Sequence, residues 1–163
     1  MSGICVECRQ MSVNDVSFGF TDTAMKVLNF FQGTNATYTQ SVTAPSRKRE
    51  NIVSELFEIY ERCSDGNWDG EGALAISSDT MFEALNFIRL LPADVRLPDV
   101  SPSTEGAIDF EWRKDRARCN IELSGSGEIV YSVYFSKYNR DFGIKPYVEK
   151  IPNNVIDIIE SMS

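Results

Sequence analysis

An α+β fold is what this sequence predicts: an antiparallel meander of three to four strands, with a helical hairpin and a short C-terminal helix packed on one face. Two observations carry it. Between residues 46 and 92, apolar side chains recur at helical spacing in two runs. Between residues 105 and 148 the period changes to alternation, with turns too short for anything but antiparallel neighbours. At 163 residues, 42% hydrophobic and 25% charged, the chain is long enough to bury a core as a single domain.

Residues 1–45 are expected to be an irregular segment, with an edge strand over 16–20 and a short helix from Asp22 or Thr23 to Phe31, stopped by Gly33. Asn35-Ala36-Thr37 matches a glycosylation sequon; with no export signal ahead of it, the match is taken as chance. From Ser46 the pattern firms. Ile52, Val53, Leu56, Phe57, Ile59 and Tyr60, with Glu55, Glu58 and Glu61 between them, predict a helix over 47–63. A second helix over 79–91 buries Met81, Ala84, Leu85, Ile88 and Leu91, with candidate caps in Ser77 to Thr80, Thr80 and Glu83 spaced as a capping box, and Pro92 ends it. Residues 92–104 hold three prolines and read as an extended surface link.

Three strands follow, their buried sides Ile108, Phe110 and Trp112; Ala117, Cys119, Ile121 and Leu123; Ile129, Tyr131, Val133 and Phe135. Their other face is polar and expected to be wet. Residues 138–148, with Phe142, Ile144, Tyr147 and Val148, would add a fourth, edge strand, and Pro152 opens a C-terminal helix over 152–162.

The stretch Ser64–Ile76 joins the two long helices and concentrates acid, glycine and aromatic character: Asp65, Asn67, Trp68, Asp69 and Glu71 among Gly66, Gly70 and Gly72. A loop holding a tryptophan needs somewhere to pack it, so this one is expected to be structured, with Trp68 pinning the loop and Trp112 closing the sheet–helix interface. An exposed Trp68 would instead lead an interface.

Net charge is −8, but residues 1–49 balance at +2, 50–111 at −11 and 112–163 at +1. Such a field repels nucleic acid and anionic membranes and attracts basic partners, although Arg47-Lys48-Arg49 is a local phosphate contact to consider. The chain has no histidine, which excludes Ser-His-Asp and Cys-His nucleophiles built from its own residues. Cys5 and Cys8 lack the further ligands of a structural zinc site, and Cys63 and Cys119 read as buried thiols. The N-terminus shows no basic and apolar leader, so a cytoplasmic protein is expected.

Three constellations bear on chemistry. Asp65-x-Asn67-x-Asp69-Gly70 matches the first half of an EF-hand loop, but the position of the bidentate glutamate is Ile76; the competing reading is a turn capped by Asx side chains. The glycines lack the lysine and preceding strand of a phosphate loop. Asp109 and Glu111 share a strand face at a spacing of about 7 Å, compatible with carboxylate-based hydrolysis, whereas cross-strand ion pairs from Arg118 and Glu122 on the neighbouring strand to acids and bases such as Glu111 and Arg113 account for the face more simply.

The run Trp68-Asp69-Gly70-Glu71-Gly72-Ala73, the Ser77–Thr80 helix start, Leu91-Pro92, Pro98, Pro102 and the strand from Gly106 to Trp112 together resemble a group of small bacterial proteins. These pair a Trp-Asp-Gly-x-Gly-Ala loop with a proline-rich link and a Glu-Trp strand. The resemblance spans about residues 50–135 and implies no activity, cofactor or catalytic residue. The function expected is that of a non-catalytic acidic protein, such as an inhibitor, antitoxin-like or anti-defence protein, that engages a basic or nucleic-acid-binding protein through Glu55, Glu58, Glu61, Asp65, Trp68, Asp69 and Glu71. The alternatives are a calcium-responsive module using Asp65, Asn67 and Asp69, and a metal-dependent hydrolase using acidic residues.

Overall fold

Proline is tolerated in the first turn of a helix, where its missing N–H has no partner to lose. The first helix, α1 (Ala44–Cys63), therefore begins at Ala44-Pro45 and not at Arg47. The computed structural model describes residues 44–147 and 150–163, which fall within one unit, Gln40–Ser163. The readings for the strand over 16–20, the helix to Phe31, the Asn35 sequon, Cys5 and Cys8 lie outside the described residues.

α1 buries Ile52, Leu56, Ile59 and Cys63 along one stripe. The second helix, α2 (Ser78–Leu90), is capped by Ser77, whose hydroxyl accepts the Thr80 N–H at 3.0 Å. The predicted Thr80–Glu83 capping box is thereby corrected. Ser77 takes the cap because its own backbone is extended, whereas Thr80 lies inside the helix, turned inward and buried, with its hydroxyl donating to Gly106 O at 3.3 Å. At the other end of α2, Arg49 from α1 donates to the carbonyls of Ile88, Leu91 and Pro92 at 2.5 to 3.0 Å, satisfying acceptors that the helix terminus leaves open. Of the Arg47-Lys48-Arg49 tract considered for phosphate, Arg49 is committed to holding the hairpin together.

The sheet has five strands in sequence order, each antiparallel to the next: β1 (Asp99–Pro102), β2 (Ile108–Lys114), β3 (Ala117–Leu123), β4 (Glu128–Ser136) and β5 (Asn139–Pro146). The meander is as expected, and the strand count is one more than the upper expectation. The addition is β1, inside the proline-rich link. Its register sets Val100 against Phe110 and Pro102 against Ile108, and it forms an edge, where proline costs least.

One face of the sheet takes the helices. Ile108, Phe110, Trp112, Cys119, Ile121, Leu123, Ile129, Tyr131 and Val133 are buried there, as the alternation predicts. Phe87 of α2, left out of the predicted stripe, is central: its ring lies 5.0 Å from Phe110, 6.3 Å from Trp112 and 6.2 Å from Tyr147, the last two edge-on. The third helix, α3 (Asn153–Ser161), closes the same layer with Val155 and Ile159. Its residue Asn154 lies within 3.5 Å of the Tyr131 hydroxyl. Among the described residues no helix is long and apolar enough to cross a membrane.

Candidate functional site: an acidic helix face and its loop

α1 carries its acids outward. With Ile52, Leu56 and Ile59 turned to the core, Glu55, Glu58 and Glu61 fall on the solvent side and are exposed. None forms an ion pair among the described residues, whose two salt bridges both involve Glu111. The chain leaves α1 directly into the 64–76 loop, where Asp65, Asn67, Asp69 and Glu71 are also exposed. Helix and loop thus carry exposed acids along consecutive chain.

The loop is structured, for reasons that lie in its side chains. Asp69 Oδ1 accepts the amides of Glu71 at 2.8 Å and Ala73 at 3.1 Å, and Asn67 Oδ1 accepts that of Gly72 at 2.8 Å. Asn67 N–H donates to Ala73 O at 2.7 Å, closing the loop upon itself, with Asn67 in the left-handed region at φ 62°. Those amides hold the Asp69 carboxyl below its ordinary range, Glu71 contributing most and Ala73 next. Two anchors fix the loop to its surroundings: Ile76 N–H donates to Cys63 O and Leu74 N–H to Thr104 O, both at 2.8 Å.

Trp68 is half-buried and not a core anchor; only Trp112 is. The loop is too exposed to enclose an indole, so Trp68 pins it from outside, with Nε1 donating to Leu74 O at 3.0 Å. The arrangement is the Asx-capped turn. The amide oxygen of Asn67 and one carboxylate oxygen of Asp69 accept loop amides, and no group of three or more histidine, cysteine, aspartate or glutamate side chains able to hold a metal occurs among the described residues.

The carboxylates on the open face of the sheet are divided between different partners. Glu111 takes Arg113 at 2.8 Å and 2.5 Å and has Arg118 at 3.8 Å; the hydrogen bonds from Arg113 hold its pKa down. Asp109 accepts from Asn120 Nδ2 at 3.1 Å. Glu122 is not cross-strand from Arg113 as expected. The register sets it opposite Asp109 and sets Arg113 opposite Arg118. Its pKa is pushed up, chiefly by desolvation and then by Asp109 and Glu105. Buried Cys119 is pushed up to about 12 by its apolar surroundings, leaving an inert thiol.

The same face holds a feature that the alternation did not flag. A trough of about 610 Å³ runs across it, lined on one side by Asp109, Glu111 and Asn120 and on the other by Tyr134, Arg140 and Phe142. Beyond β3 the face is no longer uniformly polar: Val130, Tyr134, Phe142 and Ile144 are exposed among Ser132 and Arg140, Phe142 and Ile144 at 76% and 59%. The signal was present in β4, where Val130 and Tyr134 occupy positions that a wet face would fill with polar residues.

No protein-family model matches this chain, and no curated protein or solved structure matches it closely enough to count as a relative. The likeness of the Trp68–Ala73 loop to small bacterial proteins therefore stands on those residues alone.

Proposed function

We propose that this chain is a non-catalytic acidic binding protein, working in the cytoplasm, that engages a basic surface of a nucleic-acid-binding protein. It would act as an inhibitor, an antitoxin-like neutraliser or an anti-defence protein does. The observation supporting this reading is the run of exposed acids without ion-pair partners: Glu55, Glu58 and Glu61 on α1, then Asp65 and Glu71 on a loop whose backbone is already fixed. A fixed loop loses little conformational freedom on binding, and carboxylates in this density substitute for phosphates on a surface that normally holds nucleic acid. Trp68, half-buried at the rim, supplies the apolar contact that charge alone lacks.

The test is capture from a lysate of the encoding organism with the tagged full chain, at low and high salt. A variant carrying Glu55→Lys, Glu58→Lys and Glu61→Lys is run in parallel. The expected result is one basic, nucleic-acid-binding protein that is lost at high salt and with the variant. A folded variant that captures what the wild type captures overturns the reading.

A further inference from the structure

β5 is the last strand of the sheet, with β4 on one side and no pairing partner among the described residues on the other. Its backbone polarity follows from one bond. Tyr147 N–H donates to Gly127 O at 2.7 Å, and the β4–β5 register runs without interruption from Glu128–Pro146 to Tyr134–Arg140. By alternation, Lys145, Gly143 and Asp141 turn their backbone groups toward β4, while Ile144 and Phe142 turn theirs outward. Pro146, which has no N–H to offer, falls in the outward set, as an edge proline should. The outward positions are also the exposed apolar ones, Phe142 and Ile144. Such an edge is a template for another strand.

We propose that β5 pairs antiparallel with β5 of a second copy of this chain, about a two-fold axis at Gly143. The sequence of the strand selects this register. Centred on Gly143, Phe142 faces the partner's Ile144 and Asp141 faces the partner's Lys145, each pair occurring twice. Centred on Phe142, Asp141 would face glycine and Arg140 would face isoleucine. Centred on Ile144, Phe142 would face proline and Lys145 would face glycine. The Gly143 register also matches the backbone. The Phe142 N–H, which Asp141 Oδ1 accepts at 2.9 Å in the single chain, passes to the partner's Ile144 O as that carboxylate turns to the partner's Lys145; the Ile144 N–H donates to the partner's Phe142 O, and the two Gly143 residues meet as a non-hydrogen-bonded pair with no side chains at the axis. Charge does not oppose the union. Residues 112–163 balance at +1, and α1, which carries the acids, packs toward β1 at the far edge. The product is one ten-stranded sheet with an acidic helix at each end, so this inference is independent of what those helices bind.

The test is sedimentation velocity of the full chain over a range of concentrations, with Asp141→Lys, Lys145→Asp, the double swap and Ile144→Lys. The expected result is a wild-type dimer. Each single substitution should weaken it about tenfold or more, because like charges or a lysine then face the partner twice, and the double swap should restore it. Asp141 also lies within 3.4 Å of the Tyr131 hydroxyl and accepts the Phe142 N–H at 2.9 Å, so its replacement carries a folding risk. Ile144→Lys, at an exposed open-face position, and Lys145→Asp decide the matter if that variant fails to fold. A wild-type monomer at the highest soluble concentration overturns the proposal. So does a dimer indifferent to these substitutions, or one that the folded double swap does not restore.

Discussion

Glu83 and Gly125 are 42 residues apart in the chain, and the carboxylate of one accepts the amide of the other at 2.8 Å. The second oxygen of Glu83 takes the Gly127 amide at 2.5 Å, so a single side chain of α2 clamps the β3–β4 turn. The approach is close enough that Gly125, at φ +78°, has no room for a side chain: a Cβ there would lie 2.7 Å from Thr80 N. Replacing Glu83 by alanine removes two charge-assisted bonds, at an expected cost of about 2 kcal/mol in urea unfolding. A loss below about 0.5 kcal/mol would mean that water replaces the carboxylate without penalty.

Arg49 does for the end of α2 what Glu83 does for its start. Its guanidinium reaches three carbonyls that the helix terminus leaves open, a geometry that an ammonium cannot reproduce. Arg49→Met is expected to lower the unfolding free energy by about 1.5 to 3 kcal/mol, with Arg49→Lys between it and the wild type. Equal stability of the lysine variant and the wild type would show that charge near the helix end, not the fork, is what matters.

These two clamps mark where sequence reading stopped. Hydrophobic periodicity identified both helices of the hairpin, the three central strands and most of the side chains they bury, because burial is written residue by residue in the alternation of β2 to β4; it missed Phe87 of α2, and Ala117 and Phe135, expected buried, are partly exposed at the strand ends. Long-range polar contacts carry no periodicity. Glu83 therefore looked like the partner of Thr80, three residues away, and Arg49 like part of a basic tract. β1 was hidden by Pro98 and Pro102, which a central strand would not accept and an edge does. At the candidate site, the exposure of Glu55, Glu58 and Glu61 followed from the helical phase. That Asn67 and Asp69 spend their oxygens within the loop did not, since the EF-hand half-motif and the Asx-capped turn use the same residues.

Glu122 is a carboxylate placed where its charge is unwelcome, opposite Asp109 and partly desolvated. Its pKa in the folded chain is raised, so the native state binds this proton more tightly than the unfolded chain does, and ionisation at neutral pH weakens the fold. Glu122→Gln is accordingly expected to raise the melting temperature at neutral pH. The advantage should shrink as pH falls through the carboxylate range, where the wild-type group also becomes neutral. A variant that melts below the wild type at pH 7 would show that Glu122 has a compensating partner in solution.

Asp69 runs in the opposite direction. The amides of Glu71 and Ala73 hold its folded pKa below the ordinary value of 3.8, so its contribution is fully present above that value and is lost as pH falls through the lower folded one. The loop should therefore loosen in acid before the core does. Trp68 reports it, because its indole N–H donates to Leu74 O within the loop, and Trp112 serves as the internal control, its own indole N–H donating to Arg96 O at 2.7 Å in the core. In an acid titration followed by the two indole proton signals, Trp68 is expected to shift first and Trp112 only on unfolding. Asp69→Asn, which keeps an acceptor at Oδ1 but cannot ionise, should abolish the early step. Simultaneous loss of both signals in the wild type would mean that loop and core open as one unit, and that the Asp69 turn has no separate stability to lose.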